Sequence, residues 1–193
     1  MRTHVAVLTA LIAAAAGLVA EPAQVDARLQ AQLRQLFPEA ASFSPKSGEP
    51  PHFKALDPRQ DVTGYAFWTT ELEPLERGYD GPIKILVGLD PRGVLAGIIV
   101  AEHNEPYGNF SIDLPGFPEQ FRGKSIRDPF RVGGDIHAVS RATMTVASAA
   151  RAVRNSARRV ARQLLTPPGA RASRRDAEHT ETGTEKPFLT KRR

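Results

Sequence analysis

A chain of 193 residues has room for one ordinary domain with flanking segments, and a core of that size needs no covalent staple. It contains no cysteine, which excludes disulfides, thiolate catalysis, cysteine-ligated zinc and iron–sulfur clusters, so redox chemistry requires an organic cofactor or a partner. The net charge of +5 is uneven: residues 1–146 hold 14 basic and 17 acidic side chains, residues 147–193 hold 12 and 4. A basic end of this kind can meet nucleic acid, anionic lipid or an acidic partner, but Lys/Arg on one helix face is most often solvated surface, and no nucleic-acid partner is expected.

The N-terminus opens with Arg2 and His4 ahead of Val5 to Ala20, a run of Val, Leu, Ile and Ala that ends in small residues. This is the pattern of an export signal, with cleavage after Ala20 or Ala27 and an extracytoplasmic, periplasmic destination. An uncleaved anchor is the alternative, although Glu21 and Pro22 stop the run short of the ~20 apolar residues of a full span. Residues 1–27 are therefore read as signal and linker, 28–165 as the domain, and 166–193 as a basic tail.

Asp26 to Phe37 carries Leu29, Leu33, Leu36 and Phe37 at helical spacing, with Asp26 placed to cap and Pro38 just past the end. Ala40 to Asp61 contains Pro45, Pro50, Pro51 and Pro58 and is expected to run over the surface without a long element. From Val62 to Thr69 the residues turn β-rich on both faces. Ile83, Ile85, Val87 and Leu89 alternate, then Asp90-Pro91-Arg92-Gly93 precedes a second apolar run to Ala101. Proline presets φ and glycine supplies φ > 0, so the two runs form a hairpin.

His103 to Gly116 reads as a loop, with a short helical segment near Pro118 to Phe121, and Asp128 to Gly134 as an irregular connection. The closing helix is expected over about Val146 to Leu165, where Ala150, Val153, Ala157, Val160, Ala161 and Leu164 share a face opposite Arg151, Arg154, Arg158 and Arg162. After Pro167-Pro168-Gly169 large apolar residues are too few to offset ordering entropy, so the tail is expected to be disordered. The whole is an α+β domain: an antiparallel β-sheet covered by helices, with a long C-terminal helix.

Small and hydroxyl residues cluster in Ser140-Arg141-Ala142-Thr143-Met144-Thr145, at the opening of that helix. Unpaired N–H groups and the positive dipole end make such a place suited to phosphate, while simple capping by Ser or Thr is the ordinary use. This segment resembles the Ser/Thr-Gly-Ala-Thr motif of FMN-binding domains. Such domains occur in the sodium-pumping NADH:quinone reductase, in the Rnf complex, and as the exported flavin domain of NosR/NirI-type accessory proteins of denitrification. Gly78 to Gly88, the Glu102-His103-Asn104-Glu105-Pro106 loop and the pattern Asn155 to Arg162 extend the resemblance over roughly residues 30 to 165.

The resemblance implies an FMN electron carrier or accessory protein more than a stand-alone enzyme. Its flavin would be linked through its phosphate to Thr143 by a separate flavin transferase using FAD and a divalent metal, and a membrane or periplasmic redox partner would exchange the electrons. Ser140, Arg141, Ala142 and Thr145 would surround the phosphate, and His103 and Glu105 would face or tune the ring. Two departures stand out. The family's glycine is Arg141, where a Cβ costs about 1–2 kcal/mol if φ must be positive but a guanidinium suits a phosphate. The acid often found three residues before the serine is His137, with Asp135 two residues further back. Arg141 also leaves room for a second class of function, a degenerate flavin-free docking module. Tyr65 and Trp68 are read as core aromatics rather than ring-stacking groups.

Overall fold

The computed structural model describes residues 26–165, so residues 1–25, read above as an export signal, and the tail expected to be disordered lie outside the described residues. Helix α1 (Ala27–Leu36) begins where Asp26 accepts the Arg28 N–H and ends as Phe37 donates to the Leu33 carbonyl. After it come β1 (Ser42–Phe43), β2 (Phe53–Leu56), β3 (Val62–Trp68), the single turn α2 (Thr69–Leu72), β4 (Lys84–Leu89) and β5 (Leu95–Glu102). A 3-10 turn (Gly108–Phe110), α3 (Gly116–Glu119) and α4 (Thr143–Val160) follow, and α4 runs into a π turn over Ala161–Leu165.

The five strands form one sheet in chain order, each antiparallel to the next. The predicted hairpin is the β4–β5 pair, with Gly93 at φ 83° and the Asp90 carboxylate accepting from the Arg92 and Val94 N–H groups. The proline-rich stretch holds no long element, as expected, but it does supply the short strands β1 and β2, because prolines outside the ladder leave Phe53 to Leu56 free to pair with β3. One expectation needs correction: the closing helix starts a turn earlier than its apolar stripe implied, since Thr143 to Thr145 already lie in it.

Side-chain alternation divides the core into two layers, one on each face of the sheet. Phe67, Ile85, Val87 and Leu89 point to a large cluster with Val146, Ala149, Ala150, Val153, Ala157 and Val160 of α4. Ala66, Trp68 and Leu86 point the other way, onto Leu33, Leu36 and Phe37 of α1. The α+β reading of an antiparallel sheet covered by helices therefore holds. Tyr65 packs against the first cluster and Trp68 belongs to the second, as core aromatics. Among the described residues no helix is long and apolar enough to cross a membrane.

Candidate functional site

The motif segment lies at the N-terminus of α4, and its backbone explains its composition. Arg141 sits at φ 68°, in the left-handed region. It turns the chain so that Ala142 becomes the N-cap residue, buried to 2 % exposure and offering no side-chain hydrogen bond. Ser140 does not cap the helix, contrary to the capping role its chemistry suggested. An 18-residue helix thus presents its first turn with no side-chain acceptor over it.

Thr143 is the first helical residue and is exposed; its hydroxyl makes only a long bond, 3.4 Å, back to the Val139 carbonyl. Thr145, two residues on, is buried and its hydroxyl donates to the Glu105 carboxylate. Ser148 is likewise buried. Of the hydroxyls on the first two turns, Thr143 is the one open to solvent.

Arg141, Thr143, Met144 and Thr145 line one side of a surface pocket of about 300 Å³, and Tyr79 and Tyr107 line the other. The two tyrosines and Met144 are exposed at 69 %, 44 % and 64 %, so their apolar faces are open to whatever enters the pocket. Neither tyrosine nor Met144 was singled out from sequence. The clue available was an aromatic between glycines in Gly78-Tyr79-Asp80-Gly81, where nothing in a packed strand required one.

Glu105 and His103 stand behind this pocket. The Glu105 carboxylate is buried and accepts from the Tyr79 N–H (3.0 Å), the Asp80 N–H (2.9 Å) and the Thr145 hydroxyl. Burial by itself would raise its pKa, but the hydrogen bonds from Thr145, Asp80 and Tyr79 outweigh that and hold it below the ordinary glutamate value. His103 accepts the Glu105 N–H on Nδ1 (3.1 Å), so the pattern assigns its proton to Nε2, which donates to Asp113 (2.8 Å). A Cβ on Gly78 would collide with the Glu105 carboxylate, and one on Gly108 with the His103 ring, so both glycines are required by close approach. Asp135 clasps the Phe130 and Arg131 N–H groups and Lys124, and the His137 N–H donates to Gln120 (2.6 Å), so neither residue lines the pocket.

Residues 78–158, which span both walls of this pocket, match the family described as FMN-binding domain. The chain contains an FMN-binding domain. FMN is accordingly its cofactor. Within the domain lie Tyr79, Glu105, Tyr107 and the whole 140–145 motif. The chain is 30% identical over 104 residues to the regulatory protein NosR of Pseudomonas aeruginosa, covering 54% of this chain and 14% of that protein. It is 46% identical over 48 residues to a component of the ion-translocating oxidoreductase complex of Haemophilus influenzae, covering 25% of this chain and 21% of that one. The matches thus span only about a fifth of the length of these relatives, or less. The crystal structure of Shewanella oneidensis NqrC aligns with a TM-score of 0.39 at 23% identity, over 54% of this chain and 53% of that one.

The residues of the pocket fit FMN. An uncapped helix terminus and the Arg141 guanidinium, which forms no ion pair among the described residues, suit a phosphate. Tyr79, Tyr107 and Met144 offer apolar faces to a ring. A larger cleft, about 660 Å³, lies at the other end of α4 among Arg92, Arg127, Arg158 and Arg162. There Arg158 is occupied with the Ile126 and Asp128 carbonyls at 2.7 and 2.8 Å, which makes it a brace for the loop beneath.

Proposed function

We propose that the chain is an exported electron-transfer flavoprotein whose FMN is attached through its phosphate to the hydroxyl of Thr143. The observation that carries this reading is the contrast within the motif: Thr143 is exposed in the first turn of α4 and lines the pocket, whereas the hydroxyls of Thr145 and Ser148 are buried. Attachment uses Thr143 Oγ1 as nucleophile. It forms the bond to phosphorus as the pyrophosphate bond of FAD breaks, AMP leaves, and the hydroxyl proton passes to a base of the flavin transferase. Helix N–H groups and Arg141 then offset the remaining charge of the phosphodiester. Bound FMN supplies one- and two-electron redox chemistry, and Tyr79, Tyr107 and Met144 restrict water around it.

Thr143→Val removes the nucleophilic atom at nearly constant shape. Coexpressed with a flavin transferase in an exporting host, the parent should gain the mass of FMN less one water and fluoresce in a denaturing gel, and the variant should do neither while keeping its fold. A variant that retains full covalent occupancy sinks the assignment. Arg141 in the left-handed region favours a second reading, a flavin-free docking module, because a family glycine has been replaced where glycine is preferred. A parent that shows no flavin absorbance under those conditions would establish that reading instead.

A further inference from the structure

The two walls of the pocket come from segments far apart in sequence, and a single carboxylate joins them. Tyr79 belongs to the loop before β4, and Thr145 to the first turn of α4. Between them Glu105, on the loop after β5, takes two backbone N–H groups from the first and the hydroxyl of the second. Both of its oxygens are used. None of the ion pairs among the described residues involves Glu105, so its buried negative charge is held chiefly by these three hydrogen bonds, with a smaller electrostatic contribution from His103. His103 Nδ1 takes the Glu105 N–H and so fixes its backbone, and Gly78 provides the room for the carboxylate.

We infer that Glu105 is a positioning residue for the flavin: its carboxylate fixes the spacing between the Tyr79 wall and the Thr143 terminus, and its buried charge lowers the flavin's reduction potential. The inference rests on FMN occupying this pocket. The sign of the second effect follows from Coulomb's law. Reduction adds electron density to the ring, and a fixed negative charge bonded to both walls of the pocket opposes it, little screened because it is buried.

The tie can be cut at three points. Glu105→Gln removes the charge and presents an NH₂ group where acceptors are needed, Thr145→Val removes one donor, and Gly78→Ala forces a methyl group into the carboxylate. Thr145→Ser keeps the hydroxyl and serves as rescue. Trp68, the only tryptophan, lies in the α1-side core on the opposite face of the sheet, so its fluorescence reports folding separately from the pocket.

Two measurements decide the matter. Amide hydrogen exchange, which needs no flavin, should show Tyr79 and Asp80 exchanging at least about tenfold faster in Glu105→Gln and Gly78→Ala, and faster in Thr145→Val, with Thr145→Ser close to the parent. In flavin-loaded full-length protein, Glu105→Gln should have a more positive midpoint potential and altered visible circular dichroism, whereas Thr145→Val should change the dichroism and, keeping the charge, move the potential less. Unchanged exchange at Tyr79 and Asp80 in variants with native Trp68 fluorescence would overturn the tie, and equal potentials in Glu105→Gln and the parent would overturn the electrostatic role. Should the parent fail to load flavin, the exchange arm still tests the tie, and the failure belongs to the functional reading.

Discussion

Arg141 has a measurable conformational cost. At φ 68° its Cβ crowds the backbone, a strain of about 1–2 kcal/mol that glycine escapes, offset in part by glycine's greater freedom in the unfolded chain. Arg141→Gly should therefore raise the stability of flavin-free protein by about 0.5–1 kcal/mol, read as an increase in the urea midpoint at constant slope. Its effect on flavin separates two roles: under the proposed attachment, covalent occupancy rises if the side chain hinders the transferase, and noncovalent retention falls if the guanidinium holds the phosphate. Glu105 gives the second residue-scale prediction. Its folded pKa lies below the unfolded value, near ~4.3, so its contribution is fully present above that pH and is lost as pH falls through the lower folded value. Breaking charged, buried hydrogen bonds costs about 2–3 kcal/mol. Glu105→Gln should melt lower than the parent at pH 7, and the gap should close as pH falls through the lowered folded value, where the parent's carboxylate also becomes protonated.

At the scale of elements, the sequence was legible where one physical signal dominated. The 3.6-residue stripe of α4, the Asp26 cap and the Pro-Arg-Gly turn of the β4–β5 hairpin each announced their element, and the structure contains all three. The strands β1 and β2 were hidden because prolines around them outweighed four residues of β-compatible sequence, Phe53 to Leu56, whose pairing depends on β3. The motif was legible, its division of labour was not. Nothing in the order Thr143-Met144-Thr145 tells which hydroxyl faces out, since that depends on where α4 begins and on a carboxylate forty residues upstream. The packing of α1 on the sheet offers a test at this scale. Gly64 of β3 lies beneath the Phe37 ring, and a Cβ there would collide with it. Gly64→Ala should cost about 1–3 kcal/mol by overpacking, seen as a lower melting temperature with flavin occupancy unchanged, because the pocket is on the α4 side.

Over the whole molecule, the two cores give the sheet a division of roles: α1 closes one face with packing alone, and α4 closes the other while its N-terminus forms a wall of the pocket. The pocket is lined by residues between Tyr79 and Thr145, so a chain ending at Leu165 should load FMN to the parent's level under the same coexpression, measured by absorbance per protein. The sheet's order has a consequence in time. Because β1 to β5 are neighbours in the order they occur, every pairing closes over a short span of chain, and no strand waits for a distant partner. Folding should accordingly be fast for a sheet protein, within the millisecond range of locally connected domains, and Trp68 between β3 and α1 is placed to report it in a stopped-flow experiment. The flavin pocket is slower to arrive. It needs segments from 79, 105 and 145 at once, so a chain emerging N-terminus first has all five strands available before the last wall of the pocket exists.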